Sequence, residues 1–142
     1  MTAVVTRGQS VRFIIVGIWN TFFGYAAFVL LETLFSHILD PPYVAYMSAM
    51  VLGQIIAILN AYVFHKFVTF RSKVRGWAMA SELLRFSMTY AATFFLSLAL
   101  LPFLVEIVHI APKISGLIIT LLCTGISYIG HSTFSFRSKA TD

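Results

Sequence analysis

Four long apolar stretches, separated by short polar connections, run the length of the chain. A helix needs roughly 20 apolar residues to cross ~30 Å of hydrocarbon, and each stretch is long enough. We therefore predict transmembrane helices at 13–34, 43–64, 86–105 and 114–134. The only acidic, basic or histidine residues inside these segments are Glu32 and His131. His65 lies at the end of the second segment.

Composition supports the pattern. The chain is 59% hydrophobic and 11% charged, whereas a soluble domain carries about 25% charged residues. The single Cys123 excludes an internal disulfide framework. The predicted fold class is an all-α integral membrane protein with four transmembrane helices.

The basic residues predict the orientation. Nine of the ten Lys and Arg residues flank the helices on one side, and Lys113 is the exception. Cytoplasmic loops carry the excess of Lys and Arg, so we expect this side, with both termini, in the cytoplasm. The net charge of +5 then reflects topology and attraction to anionic lipid headgroups. It does not indicate nucleic-acid binding, because no soluble basic domain is present.

The two halves of the chain repeat each other. Arg12-Phe13 opens the first helix and Arg85-Phe86 opens the third. The second and fourth helices close on similar motifs, at 65–73 and 131–139, that share Phe-Arg-Ser-Lys. We predict one domain, 1–142, built from two parallel helix-pair repeats of the same orientation, about 11–73 and 84–139.

These motifs resemble the GtrA family of four-helix bacterial membrane proteins. The family's Arg-Phe start and its early Gly and Asn correspond to Arg12-Phe13, Gly17 and Asn20. Its aromatic closing motif ending in Phe-Arg occurs twice, at 67–71 and 133–137. The resemblance covers about 11–139. It departs from the family where His65-Lys66 and His131-Ser132 stand in place of a common Asn.

The resemblance implies a function. GtrA-like proteins are expected to flip a polyprenyl-phosphate-linked monosaccharide across the bacterial inner (plasma) membrane, supplying sugar for O-antigen or other surface polysaccharide. The resemblance also implies a polyprenyl-phosphate glycosyltransferase as a partner. We expect no cofactor and no enzymatic activity, because the chain has no Gly-rich phosphate loop, no nucleophile elbow and no long soluble segment.

Basic residues at the predicted cytoplasmic helix ends are candidates for binding the lipid phosphate. A guanidinium makes bidentate, charge-assisted hydrogen bonds to phosphate. The same residues also suit a simpler role as anchors at the headgroups. The candidates are Arg12, Arg71, Arg85, Arg137 and Lys66.

Polar residues at helical spacing suggest a path for the sugar. Small and hydroxyl residues in membrane helices more often form packing seams, and amides often join helices by hydrogen bonds, so both interpretations stay open. The candidates are Asn20, Gln54, Asn60, His65, Thr93, Thr120, His131 and Glu32. The two histidines are expected to make hydrogen bonds or phosphate contacts. They are not expected to bind a metal, which needs three or four ligands.

Two other functions remain open. The protein could be a membrane anchor or scaffold for a glycosyltransferase without transport of its own. It could also be a small multidrug-type exporter, although such a protein would want a carboxylate deep in its first helix, where Asn20 stands. Association into a homo-oligomer is compatible with so small a bundle.

Overall fold

The described residues of the chain form four α-helices. The computed structural model describes the backbone of residues 7–69, 71 and 73–136, with side chains except at 7, 9, 10 and 128–136. The helices are α1 (Arg7–Ile38), α2 (Pro42–Phe64), α3 (Trp77–Pro102) and α4 (Pro112–Phe136). The fold class predicted from sequence, an all-α membrane protein with four helices, is confirmed. The predicted division into two repeats stays a prediction.

Three helices are long and apolar enough to cross a membrane. These apolar segments are Val11–Ile38, Pro42–Thr69 and Trp77–Ile107, and α4 contributes a shorter apolar segment, Pro112–Ser127. Many large apolar side chains point away from the bundle, including Ile18, Phe22 and Leu30 on α1. Such surfaces are favourable in hydrocarbon, where each backbone polar group is satisfied within its own helix.

The helices extend further than the predicted spans. The first connection, expected at 36–42, is only residues 39–41, because α1 continues to Ile38 and Pro42 begins α2. Proline suits the first position of a helix, where its missing N–H needs no partner. α3 continues as a π-helical turn, Phe103–Ile107, and the second such connection has four residues, 108–111. We call the end of the bundle that carries these two connections the hairpin end.

The connection between α2 and α3 is shorter than expected. The predicted spans 43–64 and 86–105 leave 65–85 as the connection, but α2 continues as a π-helical turn, His65–Thr69, and α3 begins at Trp77. Gly76 precedes α3 with a φ of 68°, a conformation open to glycine. We call this end, which also carries the start of α1, the basic end.

The helices pack in a ring. α1 contacts α2 and α4, and α3 contacts the same two helices. The core consists of Phe28, Tyr46, Ala49, Met50, Leu101 and Ile119. These residues lie in the half of the bundle near the hairpin end. Towards the basic end, α3 exposes Met88 and Thr89, and α4 exposes Leu121 and Thr124, while Ala57, Ala61 and Tyr62 of α2 are buried.

Candidate functional site

A buried ion pair joins α2 and α3 at the basic end. Lys66 is 4% exposed, and its Nζ lies 2.8 Å from Oε2 of Glu82. The Tyr62 hydroxyl lies 3.4 Å from the same Glu82 oxygen and 3.4 Å from the Met79 carbonyl oxygen. The Lys66 Nζ also stands 5.6 Å from the centre of the Tyr62 ring. The carboxylate that compensates the buried ammonium therefore comes from the first turns of α3.

Aromatic rings surround His65 beside this pair. The ring centres of Phe13 and Phe86 lie 4.9 Å and 5.7 Å from that of His65. Nδ1 of His65 is 3.1 Å from the Thr69 hydroxyl. Phe13 and Phe86 hold equivalent positions in the two predicted repeats, so the two Arg-Phe openings meet on one buried histidine.

A cationic cavity opens next to the ion pair. Its volume is about 720 Å³, and its lining is Lys66, Phe67, Lys73, Val74, Arg75 and Met79. Half of these side chains are basic and half are apolar. Within the described part of the chain, Lys73 and Arg75 form no ion pair. The cavity therefore carries uncompensated positive charge beside an apolar wall.

Three of the arginines favoured from sequence lie outside the lining of this cavity. Arg12, Arg71 and Arg85 are exposed. The Nε of Arg85 donates to the Ser81 carbonyl oxygen at 3.4 Å, and Arg71 has a φ of 50°. Of the phosphate-binding candidates that the structure describes, only Lys66 lines the cavity. Arg137 lies outside the described residues.

The predicted polar path is divided among separate contacts. Nδ2 of Asn60 donates to Oδ1 of Asn20 at 3.3 Å, which joins α2 to α1. Thr93 and Thr120 donate to carbonyl oxygens of their own helices, those of Tyr90 and Gly116.

Gln54 and His131 are two further candidates for the sugar path. Gln54 is half-buried. The side chain of His131 lies outside the described residues. The structure thus brings Asn20 and Asn60 together and does not join the threonines to them.

Polar contacts also connect the helices at the hairpin end. Glu32 is 8% exposed, and its Oε2 lies 3.5 Å from Nζ of Lys113 on α4, without a hydrogen bond to that oxygen among the described residues. The Tyr46 hydroxyl donates to Oε1 of Glu106 at 2.7 Å. The Tyr25 hydroxyl donates to the Lys113 carbonyl oxygen at 3.0 Å. These contacts hold α1 to α4 and α2 to the turn after α3.

Sequence reasoning missed several of these residues. Lys73 and Arg75 had a signal, since they stand in the most basic connection of the chain. The signal for Tyr25 and Tyr46 was weaker. Each places a hydroxyl in an apolar segment, and a buried hydroxyl needs a hydrogen-bond partner. The partner of each group depends on helix rotation, which residue spacing alone does not supply.

The sequence pattern of one protein family spans this architecture. The family described as "GtrA/DPMS, transmembrane domain" matches residues 12–136, which include all four apolar segments. The chain belongs to the GtrA/DPMS transmembrane-domain family. No curated protein and no solved structure matches the chain.

Family membership associates this GtrA/DPMS domain with membranes and lipid-linked sugars. The cavity at its basic end has two chemical properties that such a lipid would use. Lys and Arg side chains bind phosphate oxygens through charge-assisted hydrogen bonds. Phe67, Val74 and Met79 offer apolar contact to a hydrocarbon chain or to a sugar ring.

Proposed function

We propose that this GtrA/DPMS domain flips a polyprenyl-phosphate-linked monosaccharide across the bacterial inner membrane, for use in cell-surface polysaccharide. The observation that carries the proposal is a cationic cavity at the basic end of a chain that belongs to a family of lipid-linked-sugar membrane domains. By the positive-inside rule this end faces the cytoplasm, where the sugar would be attached to the lipid. The proposed role is transport, without covalent change to the lipid.

The physical problem of such transport is the headgroup. A sugar and a phosphodiester lose their water in the hydrocarbon, at a cost of several kcal/mol per unsatisfied polar group. The protein needs to receive the phosphate beside lipid, so that the tail never leaves the hydrocarbon. The cavity meets this need, because it lies where α2 leaves the apolar layer and has an apolar wall.

The burial and pairing of Glu32 argue against the exporter hypothesis. A drug exporter would use an accessible carboxylate that alternately binds a proton and a cationic substrate. Glu32 is instead buried and paired with Lys113 on α4. A polyprenyl-phosphate glycosyltransferase remains the proposed protein partner, because it would supply the lipid on the cytoplasmic side.

The direct test uses purified protein in liposomes. A fluorescent polyprenyl-phosphate sugar is placed in both leaflets, and a membrane-impermeant reagent that bleaches the fluorophore irreversibly is added outside. Without protein about half of the fluorescence should persist, because lipid with a polar headgroup crosses hydrocarbon slowly. With active protein the persisting fraction should fall towards zero within minutes. If half persists with folded protein present, the flippase proposal fails and a scaffold for the glycosyltransferase is favoured.

A further inference from the structure

We infer that the Glu82 carboxylate occupies the place that the lipid phosphate takes on Lys66, so that binding of the substrate displaces Glu82. This inference rests on the proposed function and adds a ligand-exchange step to it. Its basis is the position of Lys66, which both lines the cavity and pairs with Glu82 at 2.8 Å. The cavity and the ion pair thus share one ammonium group.

The charge around the cavity favours an incoming anion. Between residues 66 and 85 the chain has five basic residues and a single acidic one, Glu82. Lys73 and Arg75 line the cavity and form no ion pair with any described residue. Glu82 therefore compensates one of three lining cations, and two remain to attract a second anion.

Exchange of the two anions keeps the buried charge balanced. Removing the partner of a buried charge is costly, because the remaining charge is left uncompensated. A sugar-linked phosphodiester carries one negative charge, as a carboxylate does, and offers two free oxygens to accept hydrogen bonds. Lys66 can pass from Glu82 to the phosphate without being left unpaired, while Lys73 and Arg75 add contacts that Glu82 does not have.

The size of the cavity suits the whole headgroup. Ligand-binding pockets typically have volumes of about 300–1,000 Å³, and this one has about 720 Å³. Phe67 and Met79 are exposed apolar side chains in its lining, so they can contact the sugar or the first isoprene units. The lining thus combines phosphate chemistry with hydrocarbon contact.

Displacement of Glu82 would weaken the polar contacts between the end of α2 and the first turns of α3. The Glu82 carboxylate holds both Lys66 and Tyr62, and Tyr62 also reaches the Met79 carbonyl oxygen. These contacts tie the end of α2 to the first turns of α3. The hairpin end keeps its own polar contacts, so the expected movement is a separation of the two helices at the basic end.

The test measures binding rather than transport. The probe is the methyl ester of a ten-carbon prenyl phosphate, a soluble phosphodiester, titrated onto the full-length protein in nanodiscs of neutral lipid. The prenyl alcohol and inorganic phosphate are titrated separately, to separate the contributions of tail and phosphate. Nanodiscs containing phosphatidylglycerol show whether an ordinary lipid headgroup occupies the same site.

Glu82→Gln removes the competing charge at nearly constant size. We expect its Kd for the probe to fall about ten-fold, since the probe no longer displaces a charged partner. Glu106→Gln, which neutralises a carboxylate at the hairpin end, is the matched control and should bind the probe as the unaltered protein does. Lys73→Ala with Arg75→Ala should raise the Kd about ten-fold or more. An unchanged or higher Kd for folded Glu82→Gln overturns the inference, as does equal binding of the phosphodiester and the prenyl alcohol.

A second measurement avoids any fold defect of the Glu82 variants. Spin labels at the exposed positions Val63 and Leu84, in a Cys123→Ser background, report the distance between α2 and α3. The probe should lengthen this distance, and a distance that stays constant at saturating probe overturns the inference. Failure of the flippase proposal is recognised separately, as binding and helix separation without exchange between leaflets.

Discussion

Two charged side chains, Lys66 and Glu32, are buried at opposite ends of the bundle, and each pairs with a partner that is more exposed. Lys66 pairs with Glu82, whose side chain is 29% exposed, and Glu32 pairs with Lys113, whose side chain is 47% exposed. Loss of the exposed partner leaves a buried charge, whereas loss of the buried member leaves a charge that water can solvate. The two members of each pair should therefore respond differently to neutralisation.

The pair at the hairpin end allows a direct test of this asymmetry. Lys113→Gln should lower the free energy of unfolding by ~1–2 kcal/mol, because it leaves the Glu32 carboxylate uncompensated. Glu32→Gln should cost less than ~1 kcal/mol, and the double variant should regain most of the loss. Thermal unfolding in one detergent, with a denaturant series to give free energies, measures all three. Equal losses for the two single variants would contradict the assignment of Glu32 as the buried member.

Sequence reasoning reached the residue types of these sites but not their pairing. It identified Lys66 as a basic residue at a predicted helix end, and Glu32 as a carboxylate inside an apolar segment. It did not find that Glu82 reaches Lys66. The predicted spans left Glu82 in the connection between the second and third helices, whereas it stands on α3. It favoured Arg12 and Arg85 over Lys73 and Arg75, because helix ends are visible in a sequence and cavities are not.

At the scale of elements, small residues allow α1 to approach its two neighbours. The backbone of Phe28 lies 3.5 Å from where a Cβ on Gly53 of α2 would stand, and a Cβ on Gly24 would lie 3.3 Å from that of Ala57. On α4, a Cβ on Gly116 would meet the Phe28 ring. Close helix approach through small residues is the usual packing mode in membranes. Gly24 and Gly116 therefore lie at helix contacts, against Ala57 of α2 and Phe28 of α1.

Gly116 should be sensitive to the addition of one methyl group. A Cβ there would stand 2.6 Å from Cδ1 of Phe28, and that ring is buried in the core. Gly116→Ala should destabilise the protein by ~1–3 kcal/mol, since an overpacked core forces side chains or backbone to shift. The matched control is Gly125→Ala on the same helix, where nothing lies within 4 Å of the added Cβ.

Gly125→Ala should be neutral or stabilising by up to ~1 kcal/mol, because alanine is the better helix former. The midpoint of thermal unfolding separates the two variants. A Gly116→Ala protein as stable as Gly125→Ala would mean that α4 does not pack on Phe28 as described.

Helix existence was more predictable than helix length. The apolar runs gave four helices in the correct order, because the hydrocarbon thickness sets a minimum length for each. The ends differ because the residues beyond each run, such as His37 and Trp77–Arg85, still suit a helix once they reach the interface. The π-helical turn His65–Thr69 had no signal in residue periodicity.

At the scale of the whole molecule, the two ends of the bundle differ in charge and in packing. The basic end has the cavity and most of the Lys and Arg residues, and the hairpin end has the core and the contacts of Glu32 and Tyr46. The opening at the basic end suits the proposed function, in which the substrate arrives from the cytoplasm.

This orientation predicts a labelling pattern. His37 and Ala78 are exposed residues at opposite ends, so each is replaced by Cys in a Cys123→Ser background. A membrane-impermeant thiol reagent should label His37→Cys in intact spheroplasts and Ala78→Cys only after the membrane is opened. Labelling of Ala78→Cys in sealed spheroplasts would reverse the orientation and place the cavity outside.

Exchange of lipid between leaflets by cavity variants tests the central claim most directly. Lys73→Ala with Arg75→Ala should slow exchange of the polyprenyl-phosphate sugar in liposomes at least about ten-fold, because each charge-assisted hydrogen bond contributes ~1.5–3 kcal/mol. Ala80→Ser, an exposed change at the same end that lies outside the cavity lining, should leave the rate unchanged. If the folded double variant exchanges lipid as fast as the unaltered protein, or only Arg12→Ala slows it, the phosphate does not enter through this cavity.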